Sequence, residues 1–290
     1  MSNLKGVGVA LVTPFNEDLS VDFDSLTKLV NFNIENGTNY LVILGTTAEA
    51  ATLSSEEKKQ VIDHIIKANN KRVPLVLGIG GNNTMEVKKQ IEEADLSDFD
   101  AVLSVSPYYN KPNQEGLYQH YKALASTGKN IIIYNVPSRT GQNVEASTTL
   151  RLAEEFPNLI MIKEAAPNIL QYFDILRLKP ANFNLVSGDD EYTLPVTLAG
   201  GNGVISVIGQ GYPKEFSTMV QLAFDGKVKE AYEIHNKLVE ITRLIFAEGN
   251  PAGIKTVLAE LGIIKNYLRL PLVAASAGLQ EKIKAEMAKI

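Results

Sequence analysis

The sequence predicts an α/β protein: a (β/α)8 TIM barrel followed by a C-terminal helical appendix. Three observations carry this expectation. Short runs rich in Val, Ile and Leu recur at even spacing, amphipathic stretches separate them, and eight such pairs occur in series before the pattern changes. The runs are too continuous for half-exposed strands and suit a parallel sheet buried on both faces. Eight βα units in series are what a closed barrel requires, and a doubly wound open sheet is the competing arrangement. The 290-residue length and the even spacing favour the barrel.

Taken in order, the strand-like runs fall at 7–12, 40–44, 75–79, 101–105, 131–134, 159–162, 184–186 and 204–208. Helical periodicity follows each of them. The first helix is expected over 22–36. The second opens at Ser54-Ser55-Glu56-Glu57, where Ser54 and Glu57 are spaced as a capping box ahead of Val61, Ile62, Ile65 and Ile66. Further helices are expected over 84–96, 114–126, 145–156, 168–178, 191–199 and 213–224. Residues 1–226 therefore read as the barrel. Residues 227–290 read as a helical region packed on it, with patterns at 228–246, 254–261 and 279–288 and no strand.

Composition removes several classes of function. The 28 Lys and Arg against 33 Asp and Glu give a net charge of −5, with no electrostatic footprint for nucleic acid or anionic lipid. Cysteine is absent, which excludes disulfides, thiolate metal sites and cysteine nucleophiles. His64, His120 and His235 are widely separated, so no histidine-rich metal site is expected. No apolar run approaches the roughly 20 residues of a membrane span. The first 15 residues lack a basic segment leading to a small-residue cleavage site. A cytoplasmic location follows as the expectation.

In a barrel, function collects where strands run into the following loops. Those ends are Gly45-Thr46-Thr47-Ala48-Glu49, Gly78-Ile79-Gly80-Gly81-Asn82-Asn83, Ser106-Pro107-Tyr108-Tyr109-Asn110, Tyr134-Asn135-Val136-Pro137-Ser138-Arg139-Thr140-Gly141, Lys163-Glu164 and Ser187-Gly188-Asp189-Asp190. Lys163 is the most informative residue, because it ends a buried strand, where lysine is rarely placed. Desolvation disfavours an ammonium and frees an amine to attack carbonyls. The competing reading is a buried ion pair with Glu164, although neighbouring strand residues point to opposite faces. Tyr134 lies one strand earlier and either relays protons or packs in the core. The Thr46 and Thr47 hydroxyls suit a carboxylate, and the Arg139 fork suits a second one. Gly78-Ile79-Gly80-Gly81 is a weak dinucleotide signal, since Asn83 stands where the third glycine belongs. Gly200-Gly201-Asn202-Gly203 reads as a tight turn into the eighth strand.

Together these motifs resemble the class I pyruvate-dependent aldolases of the N-acetylneuraminate lyase superfamily, and within them the dihydrodipicolinate synthase branch. The stretches Gly8–Phe15, Pro107–Pro112, Ile162–Ala165 and Leu185–Asp190 complete the match, which runs along nearly the whole chain. The resemblance implies a Schiff-base lyase that needs no cofactor. It would condense pyruvate with L-aspartate 4-semialdehyde to 4-hydroxy-tetrahydrodipicolinate, the first committed step of diaminopimelate and lysine biosynthesis. It implies Lys163, Tyr134, Thr46 and Tyr109 as catalytic residues, with Tyr109 reaching in from a neighbouring subunit of a tight dimer paired into a tetramer. Thr47, Arg139, Gly188 and Ile205 are implied as substrate-binding residues. Two departures stand out: Ala166-Pro167 replaces a small Ser-Gly pair, and Gly253 stands where a second proline is common. Rival readings are another 2-oxo-acid lyase, acting on sialic or keto-sugar acids, and a non-catalytic 2-oxo-acid sensor. A lysine-binding regulatory site is implied at Ala51, Ser55, Lys58, Asn82, Glu86 and Tyr108. There the Lys58 ammonium opposes a cationic ligand and predicts weak or absent inhibition.

Overall fold

The computed structural model describes residues 4–290. Its eight strands are β1 (Gly6–Ala10), β2 (Tyr40–Ile43), β3 (Leu75–Gly78), β4 (Ala101–Val105), β5 (Ile131–Asn135), β6 (Leu159–Glu164), β7 (Asn184–Ser187) and β8 (Gly203–Ser206). They follow one another in chain order as a closed parallel barrel. The barrel, and not the doubly wound sheet, is therefore the architecture. β6 extends two residues past its apolar run to take in Lys163 and Glu164, because both pair with neighbouring strands.

Two compact units divide the chain. One comprises Pro74–Ile205 with the N-terminal segment through Gly6; the other comprises Val7–Val73 with Ser206–Ile290. The first holds α3 (Thr84–Glu93), α4 (Gln114–Ala125), α5 (Pro137–Thr140), α6 (Ala146–Glu155), α7 (Ile169–Leu178) and α8 (Thr193–Leu198). Its core joins the outer faces of β4–β7 to these helices through Val102, Leu117, Tyr121, Ile133, Leu152, Ile162 and Tyr172. Continuous apolar strands buried on both faces are what parallel sheets demand. Glycines permit two close approaches here. A Cβ on Gly80 would lie 2.7 Å from a Val105 methyl and 3.1 Å from its backbone nitrogen. That glycine run thus packs against β4, which accounts for it without a nucleotide. A Cβ on Gly203 would meet the Gly6 carbonyl oxygen at 2.0 Å, and its φ is +107°. The tight turn into β8 requires this glycine.

The second unit holds α1 (Phe23–Glu35), α2 (Ser55–Asn69), α9 (Pro213–Phe224), α10 (Val228–Phe246), α11 (Ala252–Glu260) and α12 (Ala277–Met287). The capping box at Ser54 forms as expected: the Ser54 hydroxyl accepts from Glu57 N at 3.2 Å, and Ser54 N donates to the Glu57 carboxylate at 2.8 Å. In the C-terminal helices, Gly253 lies so close to α10 that a Cβ would sit 2.3 Å from the Ile245 carbonyl oxygen. A proline at this position has no room, which explains that departure. Among the described residues no helix is long and apolar enough to cross a membrane.

Candidate active site

β5 and β6 form the centre of the site in the first unit. Their register pairs Tyr134 with Lys163 and Asn135 with Glu164. Side chains alternate across a strand, so Tyr134 and Lys163 share one face while Asn135 and Glu164 share the other. The Lys163 Nζ lies 4.3 Å from the centroid of the Tyr134 ring, and Lys163 is only 5% exposed. Gly188, at the end of β7, makes room for it. A Cβ there would stand 2.9 Å from Lys163 Cε and 2.8 Å from Ala165 Cβ. The same glycine donates its N–H to the Glu164 carbonyl at 2.6 Å, tying β7 to β6. Ile205, one strand further on β8, is fully buried.

The opposite face explains why Glu164 does not pair with Lys163. Its buried carboxylate accepts from Asn135 Nδ2 at 2.8 and 3.0 Å, Gln171 Nε2 at 2.8 Å and Ala166 N at 2.7 Å. Burial pushes its carboxyl up to about 7, while these donors oppose the rise. The Ala166 contact also orders the Ala166-Pro167 departure. Asn135 accepts from Val144 N at 2.9 Å and donates to Asn143 at 2.8 Å, so the network pins the segment that follows Arg139. Arg139 itself is exposed on α5, a single turn closed by Gly141 in the left-handed region.

Tyr109 is the centre of a three-residue turn. Asn110 N donates to the Tyr108 carbonyl at 2.9 Å, and the φ of Tyr109 is +74°. Such γ-turns are rare and strained. The turn presents a tyrosine side chain that is 89% exposed. Asn110 tethers it by donating to the Asn82 carbonyl at 2.9 Å.

The turn after β2 belongs to the second unit. Thr46–Ala48 forms one 3-10 turn, and Glu49 follows at φ 53°. Thr46 is exposed; Thr47 is buried and accepts from Asn250 Nδ2 at 2.9 Å. Glu49 and Lys255 form an ion pair at 2.6 Å with both side chains 0% exposed. Lys255 also donates to the Tyr267 carbonyl at 2.8 Å, and Arg269 N donates to Glu49 at 3.0 Å. Burial depresses the Lys255 ammonium to about 8, with the Glu49 carboxylate opposing. The Arg269 guanidinium grips Glu57 through both oxygens and holds its carboxyl down to about 2.

Sequence reasoning missed Asn250, Lys255 and Arg269, as well as the Glu164 network. One signal for Lys255 was present. It is the single charged residue in the run Ala252–Leu258, every position of which is buried. Of the residues implied in lysine binding, Asn82, Glu86 and Tyr108 belong to the first unit and Ala51, Ser55 and Lys58 to the second. Glu86 is engaged by Gln90 Nε2 at 3.1 Å.

Residues 3–290 match the model of the dihydrodipicolinate synthetase family. The 4-hydroxy-tetrahydrodipicolinate synthase of Flavobacterium psychrophilum is 56% identical over 96% of this chain and 95% of its own. That of Parabacteroides distasonis is 53% identical over 97% and 95%. The chloride-inhibited dihydrodipicolinate synthase of Acinetobacter baumannii, solved in complex with pyruvate, superposes with a TM-score of 0.95 at 40% identity, covering 99% of this chain and 98% of that one. The chain belongs to the dihydrodipicolinate synthetase family.

Proposed function

We propose that the protein is a lyase that condenses pyruvate with L-aspartate 4-semialdehyde to 4-hydroxy-tetrahydrodipicolinate, at the head of diaminopimelate and lysine biosynthesis. One observation carries the assignment of its chemistry: a buried lysine amine that ends β6 against the Tyr134 ring, with no carboxylate paired to it among the described residues. The relatives' shared activity and the pyruvate bound by the Acinetobacter enzyme support the substrate class.

Lys163 attacks the ketone carbon of pyruvate to give a carbinolamine, which loses water to form an iminium. The iminium withdraws electrons, so a methyl proton leaves and an enamine forms. Tyr134, with Thr46 and Tyr109 as its relay, carries these protons. Thr47 and Thr46 hold the pyruvate carboxylate, while Gly188 and Ile205 line the keto-acid. The enamine carbon then attacks the aldehyde of the second substrate, whose carboxylate rests on Arg139. The second substrate's amine finally displaces Lys163 and closes the ring. One water is released per turnover, and the lysine is regenerated without a cofactor.

The strained turn that exposes Tyr109 supports its reaching a neighbouring subunit, in a tight dimer paired into a homotetramer. The enzyme is read as cytoplasmic, with residues 1–226 as barrel and 227–290 as helical region. Lys58 opposes L-lysine at the regulatory positions. A coupled assay with pyruvate and aspartate semialdehyde, run beside a panel of sialic and keto-sugar acids, tests the whole reading. Turnover is expected only with the first pair, and submillimolar L-lysine is expected to leave it nearly unchanged. Cleavage of a sugar acid, or no turnover of any substrate, contradicts the assignment.

A further inference from the structure

The donor set around Thr47 leads to a role for the C-terminal helical region that rests on the assignment of Thr47 to the pyruvate carboxylate. A threonine hydroxyl offers one hydrogen and two lone pairs. Here Asn250 Nδ2, 203 positions along the chain, donates into Thr47 Oγ1 at 2.9 Å in a buried environment. Since an amide nitrogen only donates, the Thr47 hydrogen stays free to be given to another acceptor. Five residues after Asn250, Lys255 holds Glu49 at 2.6 Å, two residues past Thr47. Glu49 keeps its left-handed backbone (φ 53°) while its other oxygen accepts from Arg269 N. The stretch Asn250–Lys255 thus grips the turn at two points.

We propose that Asn250 is a positioning residue for the keto-acid: it fixes the Thr47 hydroxyl as a hydrogen-bond donor aimed at the substrate carboxylate, while the Lys255–Glu49 pair sets the turn that carries it. A merely structural asparagine replaced by its isosteric acid loses stability but leaves the KM for pyruvate unchanged. A positioning asparagine so replaced raises that KM, because an aspartate accepts where the amide donates. It then captures the Thr47 hydrogen and sets a negative charge near that of pyruvate.

Steady-state kinetics on Asn250→Ala, Asn250→Asp, Thr47→Val and the two double variants test this. Asn250→Ala is expected to raise KM for pyruvate roughly five- to tenfold, the worth of one hydrogen bond, with kcat and KM for the aldehyde nearly unchanged. Asn250→Asp is expected to raise it on the order of a hundredfold, through the lost donor and the added like charge. Both effects should vanish in the Thr47→Val background, since the two residues act as one unit. Being isosteric, Asn250→Asp also keeps the test informative where truncation to Ala perturbs folding. Pyruvate binding no weaker in Asn250→Asp than in Asn250→Ala overturns the proposal, as do effects that persist without the Thr47 hydroxyl. An unchanged KM for pyruvate in Thr47→Val alone overturns the carboxylate assignment itself, and the inference with it.

Discussion

Among the described residues two lysines are buried, and their surroundings differ. Lys255, on α11, is fully buried and saturated: a carboxylate at 2.6 Å, a backbone carbonyl at 2.8 Å and the Phe15 ring at 4.3 Å. Lys163, on β6, is nearly as buried but faces an aromatic ring at 4.3 Å and packs its Cε where a Gly188 Cβ would stand. Its neighbouring carboxylate, Glu164, is turned to the other face and fully occupied there by amide donors. Among the described residues no carboxylate pairs with the lysine of the β5–β6 wall, whereas the turn after β2 is locked by an ion pair. A lysine whose every donor is matched serves the fold. A buried lysine set against an aromatic ring is the one the proposed function uses.

Substitution by methionine separates the two roles. Lys255→Met strands the Glu49 carboxylate in the core and is expected to cost about 3–5 kcal/mol in urea denaturation, the penalty for breaking a buried pair from one side. Adding Glu49→Gln should recover most of that loss. Lys163→Met should cost little stability and abolish turnover. Equal destabilisation by both variants would erase the contrast.

Arg139→Ala probes the loop that the Glu164 network pins. It is expected to spare adduct formation with pyruvate and to lose condensation by about 2–5 kcal/mol of transition-state binding, as for truncating a charged contact. Single-turnover trapping beside the coupled assay measures the two steps separately. Parallel loss of both would move Arg139 to the first half-reaction.

The smallest expected effect is a pH dependence. The Glu164 carboxyl, raised to about 7, keeps its proton in the folded state where the unfolded chain has released it. Stability from this group alone therefore falls as pH rises from about 4.5 to 7 and levels off above, by on the order of 3 kcal/mol before the opposing contribution of a second group. His120, which burial holds down to about 4, acts in the opposite sense between about 4 and 6.5, so the wild-type profile blends the two. The difference between wild type and Glu164→Gln isolates the carboxyl. A difference independent of pH across this window would show that Glu164 does not titrate there.

The two regions also differ in how far the sequence disclosed them. The β5–β6 wall was legible because its information is local: a lysine at the end of an apolar strand, a tyrosine at the matching place one strand earlier, and alternation that separates Lys163 from Glu164. The observed register pairs Tyr134 with Lys163 as that reasoning requires. The turn after β2 was half legible. Gly45-Thr46-Thr47 and the Ser54–Glu57 capping box could be read in place, but their partners Asn250, Lys255 and Arg269 come from the far end of the chain. No periodicity encodes which distant donor meets a given hydroxyl. The tyrosine turn was visible as a motif but not as strain, since a positive φ at Tyr109 is set by the Asn110 hydrogen bonds around it. Gly253 shows the converse case. It looked like a loss in the sequence and is required by the contact with Ile245.

Borohydride reduction in the presence of pyruvate, followed by peptide mass mapping, tests most directly that Lys163 is the amine kept free for chemistry. One reduced three-carbon adduct per chain is expected on the peptide containing Lys163, and none on the peptide containing Lys255. An adduct on Lys255 or any other lysine, or no adduct at saturating pyruvate, would contradict it.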